Sequence, residues 1–425
     1  MRDHKKQNLF TAIFGVSSPL FDTLHMAREA IEVACQVNQA HWASFLVSQR
    51  YLNHVLVLIL VLNAWSTPLI HCIQAVSCMA IPLLLVVPFW RDFDFQEMVI
   101  PVNLEYDDVY FARVVTEMQI VAAGTWLGLV VGIIVLAVHL SAHVFIHRFS
   151  NDQSCDLVSA PWFATKFPCL VYNFDCAVWN QTSAHSGDLA FLEPGALVTL
   201  NFVHCSALEV PNDLRMFRNI IGINLKHVTL VDWPRTTAVD PAFHPVMMFV
   251  VFSYVKLPSV PAGILGPLPA MLQDIEFSHT NLSVIPEDLG EHWRDLNTLY
   301  FEYSQIHEIP RSLMSISFNT LSLIGNYIED ASVLEWLPMS VGDVALDFNP
   351  LKIMPYRIDA ADISIFRFGA QDTLVANVSD ELLANVKEMF MRQTPYCDVT
   401  SIDHLLPGIN CQDNLWLSTG RCQSD

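Results

Sequence analysis

The chain is short of charge. Asp, Glu, Lys and Arg make up 15% of it, against 52% hydrophobic residues. That ratio is too apolar for an ordinary water-soluble protein and points to segments buried in lipid. Positive charge is scarcest, with 22 Lys and Arg facing 43 Asp and Glu and a formal net charge of -21. A nucleic-acid partner is excluded on that ground, because binding phosphates needs a basic surface. Catalytic signatures are missing as well. The sequence holds no phosphate-cradling glycine loop, no HExxH, no kinase motif set, and no nucleophile with its base and orienting group. The expectation is a protein that is not an enzyme and uses no cofactor and no metal. No CxxC pair occurs among the ten cysteines, which leaves zinc the weaker reading of them.

Charge is absent altogether from two runs, residues 51–90 and 118–147. One membrane pass takes about 20 residues. The first run therefore suits a helical hairpin turning near residues 63–68, where Pro68 disfavours unbroken helix, and the second suits a third pass. Trp65 and Trp90 then fall at interfaces, and His71 reads as an interfacial or packing residue. Gly124, Gly128 and Gly132, four residues apart, offer a close-packing face. Between the runs, residues 91–117 form an acidic connector with two Arg and seven Asp/Glu. Residues 1–50 read as a cytosolic amphipathic segment, with a cleaved signal peptide as the alternative. Three passes put the two termini on opposite sides, so residues 148–425 are expected outside a membrane, taken to be the plasma membrane.

The cysteines bracket the second half of the chain. Cys155, Cys169 and Cys176 lie before residue 197, and Cys397, Cys411 and Cys422 lie after residue 390. Both groups read as disulfide-stapled caps in an oxidising compartment; three per group leaves the pairing open. Asn180, Asn281 and Asn377 begin Asn-x-Ser/Thr tripeptides, and all three fall in that same half, as a glycoprotein requires.

Between the cysteine groups one pattern recurs. Leu272, Ile275, Phe277, Thr280, Leu282, Ile285 and Pro286 are followed in register by Leu296, Leu299, Phe301, Ser304, Ile306, Ile309 and Pro310. Upstream copies end at Pro211, Pro234 and Pro261. Downstream, Leu321, Leu323 and Asn326 fit without the proline, and Val344, Leu346, Asn349, Leu351 and Pro355 restore it. Ile363, Ile365, Phe366 and Phe368 make a degenerate last copy. The prolines from Pro211 to Pro310 step by 23, 27, 25 and 24 residues. The pattern resembles the leucine-rich repeat, LxxLxLxxNxLxxLP, with about eight copies in register. The tail at 416–422, WLSTGRC, resembles the C-terminal signature of WLGC-domain membrane proteins.

The resemblance implies one short strand per repeat, with the strands stacked in parallel to line a concave face. Alternate strand residues then build the core while the others project to solvent on that face. The column just before the Asn/Cys position reads His204, His227, Tyr254, His279, Tyr303, Gly325 and Phe348. The column between the two strand leucines includes Asn224, Glu276 and Tyr300, flanked by Lys226, Asp274, Glu302 and Asp347. These residues are the candidate ligand site, since aromatic side chains offer large area at low entropy cost. The bland alternative is that the rings stack on one another and only stiffen the array. His204 and His227 alone are too few to hold a metal.

The expected fold is an α/β leucine-rich-repeat solenoid with a parallel β concave face, preceded by an all-α transmembrane region of about three helices. The expected divisions are 1–50, 51–90, 91–117, 118–147, a cysteine-containing cap at 148–196, repeats at 197–390 and a second cap at 391–425. The expected function is membrane-anchored recognition, receptor-like or co-receptor, of a protein, peptide or glycan ligand. A membrane-protein signalling partner and the lipid bilayer would be its other contacts. The alternative is a regulatory or assembly subunit of a membrane transport or enzyme complex.

Overall fold

The computed structural model describes residues 37–65 apart from 39, 43 and 46–49, residues 129–146, and residues 154–412 apart from 295, 360–362 and 400–406. The chain forms two compact units, residues 1–170 and 171–425.

In the first unit, two helices follow from aliphatic stretches without acidic residues: α1, Arg50–Trp65, and α2, Leu129–Ile146. They pack through Val57, Val61, Val135 and Ala142, joined by Ala40 and Trp162 in one buried cluster. Ser44 ties this cluster together, because its Oγ accepts from the Trp162 N–H at 2.8 Å and its carbonyl accepts from Ala160 at 3.1 Å. At about 1.5 Å per residue the described helices span roughly 24 and 27 Å. Among the described residues no helix is long and apolar enough to cross a membrane. The expected turn near Pro68, His71, Trp90, the 91–117 connector, Gly124 and Gly128 lie outside the described residues, as do the 416–422 tail and its Cys422. A strand at Cys155–Val158 follows, and the Cys155–Cys169 disulfide closes its loop.

The second unit is a stack of short strands. Cys169–Asp175, Thr199–Val203, Gly222–Lys226, Phe249–Ser253, Asp274–Ser278, Thr298–Glu302, Thr320–Ser322, Val341–Ala345, Ile365–Gly369, Val386–Phe390 and Ile409–Asn410 are hydrogen-bonded in chain order in one sheet. These strands pair in parallel throughout, and the repeat period sets the register. Leu200 pairs with Ile223, then come Val250, Ile275, Leu299, Leu321 and Val344, a continuous apolar column. A second column holds Phe202, Leu225, Phe252, Phe277 and Phe301, all fully buried. Phe252 stacks on Phe277 at 4.5 Å and Phe277 on Phe301 at 5.1 Å. A buried Phe is worth roughly 1.5–3 kcal/mol relative to exposure, and offset pairs add about 0.5–1.5 kcal/mol. The column is therefore the main adhesive between repeats. The first column extends beyond the repeated pattern: Phe368 pairs with Val344, Met389 with Phe368 and Ile409 with Met389, although the last two strands lack the Leu/Pro signature.

The prolines sit where the chain leaves the core. Pro211, Pro234, Pro261 and Pro310, with φ between -71 and -75°, immediately precede the 3-10 turns Asn212–Met216, Arg235–Thr237, Ala262–Ile264 and Arg311–Ser315. Proline's fixed φ suits that entry, and its missing N–H is a donor the first turn could not satisfy anyway. The α half of the expected α/β class is accordingly slight. Opposite the sheet run 3-10 turns and four- or five-residue helices, because a period near 24 residues leaves no room for a long helix.

Candidate ligand-binding face

The chain turns sharply directly after each of the five strands from Thr199–Val203 to Thr298–Glu302, and three residues after the next two. His204, His227, Tyr254, His279, Tyr303, Gly325 and Phe348 all have positive φ, between 46 and 67°. Non-glycine side chains rarely adopt that region, and His is among those that tolerate it. Here the backbone is held in place from outside. The N–H of each of these residues donates to a carbonyl of the next repeat: His204 to Lys226, His227 to Ser253, Tyr254 to Ser278, His279 to Glu302, Tyr303 to Ile324, Gly325 to Asp347. One ring per repeat is thereby fixed at the same height. His204, His227, Tyr254, His279 and Tyr303 stack as five successive rings, with centroid separations of 5.7, 4.8, 4.4 and 4.7 Å. That spacing is the strand spacing of about 4.8 Å.

Both ends of the ladder are closed. Nδ1 of His204 lies 3.0 Å from Oδ2 of Asp175. At the other end the Tyr303 ring lies over Gly325, where an added Cβ would come within 2.5 Å of it. The ring faces are occupied by one another, so what the surface offers is ring edges, imidazole nitrogens and phenol oxygens. Tyr254 remains 38% exposed and Tyr303 40%, and beyond Gly325, Phe348 is again 40% exposed.

The strand residues expected to project into solvent do not. Asn224, Glu276, Tyr300, Glu302 and Asp347 are each 7% exposed or less. Side chains on strands about 4.8 Å apart shield one another, and several spend their polar atoms doing so. Asn201 donates to Asn173 at 2.7 Å and Asn224 donates to Asn201 at 2.8 Å, an amide ladder. The Ser322 hydroxyl donates to Glu302 at 2.5 Å, and the Gln371 N–H donates to Asp347 at 2.7 Å. Lys226 and Asp274 are half-buried. The structure thus puts six of the thirteen candidates on an edge of rings and buries five, Asn224, Glu276, Tyr300, Glu302 and Asp347, with Lys226 and Asp274 between the two.

Burial governs the chemistry of these buried carboxylates. It pushes the Glu302 carboxyl up to about 7, with the charge of Asp347 adding to the rise and the Ser322 hydrogen bond opposing it. Asp347 is raised to about 6, again by burial, against the bond from Gln371. Burial lowers His279, and it raises Tyr303 with help from the Glu302 and Asp347 charges.

Below the rings the polar step of each repeat is satisfied internally. Thr280 meets Ser304 at 2.7 Å. The amide nitrogen of Asn326 donates to the carbonyls of Phe301 at 2.6 Å and Leu323 at 2.9 Å, while its oxygen accepts from Ile306 at 3.2 Å. Asn349 repeats the arrangement one strand on. At the first repeat that position is Cys205, which pairs with Cys176 across 29 residues. This pairing accounts for the odd cysteine of the first group; sequence spacing placed Cys205 with the repeats instead. At the other end Cys397 pairs with Cys411. The three acceptor asparagines, Asn180, Asn281 and Asn377, are all exposed.

The chain is similar to fibromodulin. It is 28% identical over 91 residues to fibromodulin of rabbit (Oryctolagus cuniculus) and, to the same extent, of pig (Sus scrofa), a stretch covering 21% of this chain. The matched region spans 60% of the length of each relative. No family model matches the chain. Fibromodulin is a leucine-rich-repeat protein without enzymatic activity, and the similarity supports a leucine-rich-repeat reading of the parallel stack.

Proposed function

We propose that the chain is a membrane-anchored recognition protein whose repeats bind a protein or peptide through the exposed edge of the ring ladder. The observation behind this reading is the run of five stacked, half-exposed rings held at positive φ. Side chains kept in a sparsely populated backbone region cost roughly 1–3 kcal/mol each and cluster where a surface has a task. The similarity to a leucine-rich-repeat protein favours protein binding in general terms. Anchoring in a membrane, a receptor-like or co-receptor role and an extracellular position for residues 148–425 rest on the uncharged runs and the exposed glycosylation tripeptides.

The ligand segment that fits is basic and carries hydrogen-bonding groups. Rings supply edges and polar atoms, and the carboxylates behind them add a negative field that grows as Glu302 and Asp347 ionise. Affinity for such a segment should rise between about pH 5 and 8 and fall with salt. The test is capture of binding partners by the full-length protein in detergent. Substituting Tyr254→Ala and Tyr303→Ala together should abolish capture that the wild-type chain shows. Retention of the same partners by the double variant sinks the reading.

A further inference from the structure

We propose that His54, His139 and His143 form a three-imidazole site for a divalent transition-metal ion of the zinc class. This inference rests on the helix pair of the first unit and does not depend on the ring ladder. His54 stands on α1, and His139 and His143 stand one turn apart on α2, so all three side chains meet at the packed face between the helices. One potential ligand atom from each lies within 4.8 Å of the others. Nδ1 of His54 is 2.8 Å from Nε2 of His139. The ring centroids are 4.3 Å apart for His54 and His143, and 4.6 Å for His139 and His143.

The surroundings explain why a cation suits this place. His139 is 1% exposed, and its Nδ1 has no hydrogen-bond partner. Close by on the same helices are Val57, Val61, Val135 and Ala142. The group contains imidazoles alone, and each neutral imidazole has one ring nitrogen whose lone pair can be offered to a cation. Imidazole nitrogens suit Zn, Cu and Ni, and zinc takes three histidines with a fourth position left open. Two nitrogens about 2.0–2.1 Å from a tetrahedral zinc lie roughly 3.3 Å apart. The His54–His139 pair must therefore open by about 0.5 Å and the third ligand must close in, both within reach of side-chain rotation.

The site also has an access side, because His54 is exposed while His139 is buried. An ion bound there would bridge two segments that are 85 residues apart in the chain. It would fix the helix pair and keep a coordination position towards the exposed histidine.

The experiment uses the full-length protein in detergent, stripped with a chelator and titrated with Co2+ as a spectroscopic probe. We expect one equivalent to give the visible absorption of a tetrahedral nitrogen-ligated site, and Zn2+ to displace it. His54→Ala, His139→Ala and His143→Ala should each weaken Zn2+ binding at least about tenfold. His204→Ala with His227→Ala should leave it unchanged. Since His54 is exposed, its substitution disturbs packing least, and it guards against mistaking misfolding for ligand loss. No Co2+ band in the wild-type protein overturns the proposal, and so does binding retained in the triple variant. Loss confined to the buried His139→Ala variant also counts against it, because misfolding alone would produce that.

Discussion

Replacing Glu302 with glutamine isolates the cost of the buried carboxylate layer. The side chain is 4% exposed, and its carboxyl is raised from 4.5 to about 7. Each pKa unit is worth 1.36 kcal/mol, so the ionised form costs the folded state about 3 kcal/mol. The sign follows from proton counts. Between pH 4.5 and about 7 the unfolded chain has released this proton and the folded chain still holds it. Folding stability therefore falls as pH rises through that window, and the full penalty applies above it. Glutamine has the same shape and can still accept from Ser322, but carries no charge. Glu302→Gln should accordingly stabilise the protein by up to about 3 kcal/mol at pH 8 and by close to nothing below pH 4.5. Stacked repeats need not unfold as one unit, so the readout should be local. Hydrogen exchange of amides in Thr298–Glu302 and Thr320–Ser322 supplies it. A gap between variant and wild type that is the same at pH 4.5 and pH 8 would refute the reasoning.

Other substitutions probe other parts of the stack. Asn326→Ala removes the acceptor for Ile306 and the donor to Phe301 and Leu323, all buried. A loss of about 2–4 kcal/mol in chemical denaturation is expected. Breaking Cys176–Cys205 by paired Cys→Ala changes frees a closure of 29 residues, worth about 3–4 kcal/mol, and should lower the melting temperature under non-reducing conditions only. Gly325→Ala puts a Cβ 2.5 Å from the Tyr303 ring at a residue with φ of 67°. It should cost at least about 1–2 kcal/mol and alter the near-ultraviolet tyrosine signal.

The strand columns were legible in the sequence because burial leaves a repeat. Phe277 over Phe301, and Leu299 over Leu321, needed only apolar residues returning at one period. The two final strands, Val386–Phe390 and Ile409–Asn410, were not, since the sheet template continues by backbone pairing after the Leu/Pro signature has gone. Alternation correctly assigned Glu276, Tyr300 and Glu302 to the second face but wrongly made them exposed. Period two tells which side a residue faces, not whether its neighbours shield it. The ring column was readable as a column, whereas its positive φ was not, because Tyr and Phe do not announce that conformation and the enrichment of His there is too weak to mark it. The three-histidine cluster left one local trace, His139 and His143 at helical spacing. Its third member, 85 residues away from His139, has no sequence signal. Disulfide pairing likewise joined Cys176 to a cysteine outside its group.

The most direct test of a binding edge is to place a photoreactive phenylalanine analogue at Tyr254, and separately at Tyr356, which is exposed away from the ladder. On irradiation of cells displaying the full-length protein, Tyr254 should yield one discrete crosslinked partner and Tyr356 none. Equal crosslinking from both positions, or a partner captured only from Tyr356, would contradict recognition along the ladder.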